Sequence, residues 1–139
     1  MANRPFHHAF LVKDLASTRD FYGKLLGCRE GRSTDEWVDF DFFGNQISAH
    51  CTAPVPATVL AGWVDGVRVP MPHFGAVLAW DDFHALARKL EDAKLAFVIS
   101  PRLRFEGQPG EQMTMFFCDP SGNAIELKAF KSDSAVFAK

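Results

Sequence analysis

The stretch His73-Phe74-Gly75-Ala76-Val77-Leu78-Ala79-Trp80-Asp81-Asp82 restates, midway along the chain, how the chain began: His7-His8-Ala9-Phe10-Leu11-Val12-Lys13-Asp14-Leu15. Each is a histidine, then an apolar run of strand character, then an acidic residue placed to cap a helix. The halves also close alike, on a strand introduced by Gly-Asn. These are Gly44-Asn45-Gln46-Ile47-Ser48-Ala49-His50 and Gly122-Asn123-Ala124-Ile125-Glu126-Leu127-Lys128. A supersecondary unit used twice decides the architecture ahead of any single motif.

Within the first half, Asp14 reads as an N-cap. Leu15, Thr18, Phe21, Tyr22, Leu25 and Leu26 then recur at helical spacing until Gly27. Arg29–Ser33 reads as a short edge strand. Trp37–Phe42 alternates apolar and polar residues with period two, the pattern of a strand with unlike faces. Residues 53–71, rich in proline and glycine, read as a linker, with Trp63 and several valines packing it onto the body. The second half repeats the order. Asp82 is expected to cap a helix through Phe83, Leu86, Leu90 and Ala93, and Phe97–Ser100 is a short strand before Pro101. Gln112–Cys118 and Ala124–Phe130 flank the turn Asp119-Pro120-Ser121-Gly122-Asn123. The stretch Arg102–Glu111, with glycine hinges and charged residues, reads either as a lid at a cavity edge or as a solvated hairpin. The expected fold class is therefore α+β, with two tandem β-α-β-β-β modules whose curved mixed sheets enclose one shared cavity. Residues 1–139 form one domain, with modules at 6–53 and 72–130, a linker at 54–71 and a tail at 131–139.

Composition narrows the function classes. With 139 residues, 47% of them hydrophobic and fourteen Phe, the chain can fill a core without disulfides. A formal net charge of −2 gives no reason to expect nucleic acid or an anionic membrane as partner. No apolar run approaches the roughly 20 residues that span a bilayer. The opening Met1-Ala2-Asn3-Arg4-Pro5 lacks the apolar core of a signal peptide. Cys28, Cys51 and Cys118 are scattered without paired spacing, as in a reduced, cytoplasmic protein. Neither nucleic acid nor a membrane is therefore an expected partner.

Side chains alternate across a strand, so register decides which residues can meet. His7, Ala9 and Leu11 share one face of the first strand, and His73, Gly75, Val77 and Ala79 share one face of its counterpart. If the halves are related by pseudo-symmetry, His7 and His73 are equivalent. Glu126 sits mid-strand between Ile125 and Leu127, where a carboxylate is costly unless paired or bound to a cation. Two histidines and a carboxylate with open positions suit divalent iron, manganese or similar ions. His50 and Lys128 occupy equivalent places on the same inner face. They are candidates for proton transfer or for holding an anionic substrate or oxyanion. His8 points to the opposite face and reads as structural, and His84 reads as a solvent-facing helix residue.

Two segments carry a resemblance. The first is His7 followed by Val12-Lys13-Asp14-Leu15 and Phe21-Tyr22-Gly23-Lys24-Leu25-Leu26-Gly27-Cys28. The second is Phe116-Phe117-Cys118-Asp119-Pro120-Ser121-Gly122-Asn123-Ala124-Ile125-Glu126. In these the chain resembles the vicinal oxygen chelate superfamily of glyoxalase I, extradiol ring-cleaving dioxygenases, fosfomycin-resistance enzymes and bleomycin-binding proteins. The resemblance implies metal ligands at His7, Ser48, His73 and Glu126. Ser48 departs from the glutamate that glyoxalase I enzymes use there, and three ligands remain, as in the dioxygenase branch. His50, two residues on, is the other side chain able to reach such an ion. The implied cofactor is a divalent metal, Fe(II) first, with Mn(II), Ni(II) or Zn(II) as alternatives. The implied activity is a dioxygenase-like oxidoreductase acting on a substrate with vicinal oxygens. A glyoxalase-type lyase or isomerase, or a metal-free binding or resistance protein, is the alternative. Related proteins often dimerise, some by pairing or swapping modules, so a homodimer is a further expectation.

Overall fold

A computed structural model describes residues 3–139. They form an α+β fold in which the two halves carry the same topology. The first has β1 (His7–Leu11), α1 (Leu15–Thr18), β2 (Arg29–Ser33), β3 (Trp37–Phe42) and β4 (Asn45–His50). The sheet order is β1-β4-β3-β2, with β1 parallel to β4 and the remaining pairs antiparallel. A two-stranded hairpin follows, β5 (Val59–Val64) with β6 (Val67–Met71). The second half has β7 (His73–Leu78), α2 (Trp80–Asp92), β8 (Phe97–Arg104), β9 (Gln112–Cys118) and β10 (Ala124–Ala129). Its sheet order, β7-β10-β9-β8, is the first one repeated, again with the opening strand parallel to the closing one. The backbone divides into two compact units, one running to Ala57 and including Asp119–Asn123, the other Thr58–Cys118 with Ala124–Lys139.

In the first unit the outer face of the sheet supplies Phe10, Phe40 and Phe42, and all three rings lie against Tyr22 at centroid distances of 5.8, 5.6 and 6.3 Å. Asp14 caps α1 as expected, its side chain accepting from the Ser17 backbone N–H at 2.6 Å. Past Thr18 the helix widens into π-helical geometry over Arg19–Leu25, which the apolar spacing does not announce. Gly27, at φ 76°, closes it. His8 lies on the same outer face, stacked on Phe10 at 5.5 Å, and burial, then the neighbouring His7, lowers its pKa below the ordinary 6.5. An unfolded chain takes up a proton near pH 6.5 that the folded chain resists, so this group costs stability as the pH falls through that value. The urea midpoint of the protein is expected to drop on acidification from pH 7 to 5, and the His8→Phe variant to drop less. An equal drop in both would remove His8 as a cause.

In the second unit, α2 buries Phe83, Leu86, Ala87 and Leu90. It begins at Trp80 after Ala79, with no side-chain cap. Asp82, expected as the cap, instead sits in the first turn beside Asp81, where both carboxylates face the positive end of the helix dipole. β8 runs on through Pro101 to Arg104, because register shifts between Phe97 and Ile99 and between Ile99 and Arg102 spare the proline a ladder bond. The segment from 102 to 111 is thus strand at its start and turn beyond, with Phe105, Gly107 and Gly110 at positive φ.

The residues expected as a linker hold the β5–β6 hairpin, because alternating valines outweigh the turn signals around them. Val64 and Val69 are buried against Ile99, Phe116 and Ala124. Asp65, in the hairpin turn, pairs with Arg102 at 3.6 Å and Arg104 at 3.2 Å. Trp63 does not pack inward; it is 65% exposed, with Arg68 over its ring at 5.2 Å.

Candidate functional site

Register settles which side chains share a face. In the first sheet Ala9 lies opposite Ser48 and Leu11 opposite His50; in the second Gly75 lies opposite Glu126 and Val77 opposite Lys128. Ser48 and Glu126 are therefore equivalent, as are His50 and Lys128. The inner face of the first sheet carries His7, Gln46, Ser48, His50, Trp37 and Asp39. That of the second carries His73, Glu126, Lys128, Thr114 and Phe116.

On the second sheet, Glu126 is 7% exposed and its Oε1 lies 3.2 Å from the Lys128 ammonium. This answers the cost of a carboxylate among apolar neighbours with an opposite charge. His73 accepts an edge-to-face contact with Phe116 at 4.7 Å, and its Nδ1 lies 2.9 Å from the Pro70 carbonyl oxygen. A carbonyl only accepts, so Nδ1 of His73 carries the proton and its Nε2 is left with a lone pair. Anchoring of one ring nitrogen by an oxygen is how metal-ligating histidines are usually held. Thr114 Oγ1 and Gln112 Oε1 are buried on this face with no hydrogen-bond partner among the described residues.

On the first sheet, His7 Nδ1 lies 2.9 Å from Gln46 Oε1. The Gln46 amide donates to Asp39 Oδ2 at 3.3 Å, and Ser48 donates to Asp39 Oδ1 at 2.5 Å. Asp39 is 8% exposed. The alternation in Trp37–Phe42 shows that Asp39 and Asp41 share a face, but not that this face closes over Asp39. The signal available was its pairing with Ser48 across a turn as short as Gly44-Asn45. The Ser48 hydroxyl is spent on Asp39. His50 has its ring tilted against Trp37 at 6.2 Å. His84 packs on Trp80 at 5.0 Å and Phe83 at 5.6 Å rather than standing in solvent alone.

His73 and Glu126 share one sheet face, and in the other unit His7 stands at the register place that matches His73. Among the described residues, no three His, Cys, Asp or Glu side chains are gathered into a metal-holding group.

The turn Asp119–Asn123 belongs to the first unit. Asp119 is buried and accepts four hydrogen bonds, from Tyr22 Oη (2.8 Å), Asn123 Nδ2 (2.9 Å), Ser121 N (2.8 Å) and Asn123 N (2.9 Å). Asn123 Nδ2 also donates to the Leu11 carbonyl at 2.9 Å, and Ser121 Oγ accepts from Lys13 N at 2.9 Å. The Asp-Pro-x-Gly-Asn and Phe-Tyr segments of the sequence thus meet at one buried carboxylate.

No curated protein sequence matched the chain. Among solved structures, a glyoxalase/bleomycin resistance protein/dioxygenase from Alicyclobacillus acidocaldarius is 30% identical, with 97% of each chain covered and a TM-score of 0.78. The fold is shared with a fosfomycin resistance protein from Listeria monocytogenes (17% identity, 99% of this chain and 100% of that one, TM-score 0.65). It is shared too with a lactoylglutathione lyase from Agrobacterium tumefaciens (13% identity, 94% and 96%, TM-score 0.62). The family model for the glyoxalase/bleomycin resistance protein/dioxygenase superfamily matches residues 4–127. Two like-ordered sheets, the Asp119 turn and this match over nearly the whole length make the chain a member of that superfamily.

Proposed function

We propose that the protein is a divalent-metal-dependent enzyme acting on a small substrate with two adjacent oxygens, and that its chemistry is of the open-site, dioxygenase-like kind. The ligands in this reading are His7, His73 and Glu126. The observation that carries it is the Ser48 hydroxyl, committed to Asp39 at 2.5 Å and so withdrawn from the fourth position. Three protein ligands leave room for a chelating substrate. Superfamily membership supports metal dependence in general and leaves the metal open, with Fe(II) favoured and Mn(II), Ni(II) or Zn(II) as alternatives.

When bound, such an ion supplies Lewis acidity to the substrate oxygens. The chain's own residues do the rest. His7 and His73 offer Nε2 because their Nδ1 atoms are engaged elsewhere. The Lys128 ammonium neutralises Glu126 and, being partly exposed, can meet a negatively charged substrate oxygen. His50, with its ring against Trp37, is the residue able to take or return a proton on the first sheet's face.

A second reading, a metal-free protein that sequesters a small ligand, is favoured by the lack of a gathered three-donor group among the described residues. Elemental analysis of protein purified without chelators separates the two. Near-stoichiometric metal is expected, falling at least about tenfold in His73→Ala, since one of three ligands is gone. Metal-free protein whose melting ignores added Fe(II), Mn(II), Ni(II) and Zn(II) would sink the enzyme reading. Oxygen uptake with a panel of catechols, against turnover of glutathione hemithioacetals, then divides dioxygenase from glyoxalase chemistry.

A further inference from the structure

We infer that Gln46 and Asp39 are positioning residues for His7: a relay that starts at a buried carboxylate and ends by fixing which ring nitrogen of His7 bears its proton. This rests on the reading of His7 as a ligand for its consequence, but not for its geometry.

Asp39, buried beneath the inner face, is a carboxylate, and its oxygens accept. Ser48 donates to Oδ1 at 2.5 Å, which fixes the plane of the group; Oδ2 is then offered to Gln46 at 3.3 Å. Only the amide nitrogen of Gln46 can answer a carboxylate, so the amide has one sensible orientation. Its carbonyl oxygen is thereby turned to His7 Nδ1, at 2.9 Å. An amide oxygen only accepts, so Nδ1 of His7 must hold the proton, and Nε2 is left with the lone pair. Reversing the amide would set its carbonyl against the carboxylate, two acceptors face to face. The imidazole can follow either orientation by changing tautomer, so it is the Asp39 end that fixes the relay.

The two histidines of the proposed ligand set reach the same protonation pattern by different means. His73 is fixed by a backbone carbonyl, Pro70 O, that no substitution removes. His7 is fixed by side chains alone, because Gln46 is its register partner where Ala124 is the partner of His73. The relay also explains a serine at the place of a fourth ligand: Ser48 serves Asp39. Both outer members, His7 and Gln46, are exposed in the chain, so the relay can be altered without opening the core.

The test uses long-range proton–nitrogen correlation spectra of the metal-free protein, at a pH where His7 is neutral. The protein is expected to show His7 protonated on Nδ1. Gln46→Met, of similar length but unable to hydrogen-bond, is expected to move His7 toward the Nε2-protonated form that an unrestrained imidazole prefers, leaving His73 as it was. Asp39→Ala should do the same through a freed Gln46. Since Asp39→Ala can fail to fold, Gln46→Met decides. A proton on Nε2 in the unaltered protein, or a His7 pattern unchanged in Gln46→Met, overturns the inference. In parallel, Mn(II) titration should show affinity lowered about 10–100-fold in Gln46→Met. If the unaltered protein binds no metal, the function proposed above fails while the spectra still decide the relay.

Discussion

Gly75→Ala is expected to destabilise the protein by about 3 kcal/mol or more, a large share of the about 5–15 kcal/mol that holds a domain folded. A Cβ built on Gly75 falls 1.6 Å from the Glu126 carbonyl oxygen, 2.7 Å from its carbonyl carbon and 3.3 Å from its nitrogen. All three are backbone atoms, which cannot swing aside as the end of a side chain can. β10 is held on its other edge by β9, so the methyl can be admitted only by pushing β7 away. β7 carries His73 at its start and leads directly into α2, so a shift there takes the histidine and the helix with it. The control is at the equivalent register in the first sheet. Ala9, opposite Ser48, already bears a methyl, and Ala9→Gly should cost only about 0.5–1 kcal/mol through backbone entropy. Urea midpoints of the two variants check this. If Gly75→Ala unfolds within about 0.5 kcal/mol of the unaltered protein, the close approach of β7 to Glu126 is wrong.

Asp119→Ala is expected to cost about 3–5 kcal/mol. The carboxylate accepts from Tyr22 Oη, from both the amide and the backbone of Asn123, and from the backbone of Ser121. Its removal takes one acceptor from a buried phenol and from two backbone N–H groups, each lost bond costing about 1–3 kcal/mol. The effects should be ordered. Tyr22→Phe removes one donor and leaves three in place, so about 1–2 kcal/mol is lost. Asp119→Asn keeps the shape but turns an amide N–H₂ toward donors on one side, and should fall between the two. Equal midpoints for Asp119→Ala and Tyr22→Phe would mean that the turn is not held by this carboxylate.

These two residues show what kinds of information the sequence carries. The duplicated order of elements, and the equivalence of His7 with His73 and of Ser48 with Glu126, were legible because alternation and repetition are properties of the chain itself. Register then follows from which face is apolar. The Asp-Pro-x-Gly-Asn turn was legible as a motif, yet nothing in it says that Tyr22, far back in the chain, supplies the phenol. In the sequence Asp39 is one of two acids on the polar face of a strand with unlike faces. Only its neighbours across the sheet, Gln46 and Ser48, make it a buried acceptor. The β5–β6 hairpin was hidden by its prolines and glycines, which mark turns whether or not strands lie between them.

The sequence by itself determined the architecture, the family, and which side chains stand on the inner faces, since these depend on short-range periodicity and on a unit used twice. The tertiary structure decided how those side chains are spent: Ser48 on Asp39, Lys128 on Glu126, Gln46 on His7 and Gly75 on the passage of a neighbouring backbone. The physical reason is one of range. Hydrogen bonds and steric contacts act over a few ångströms, and it is the pairing of strands distant along the chain that brings such groups within reach.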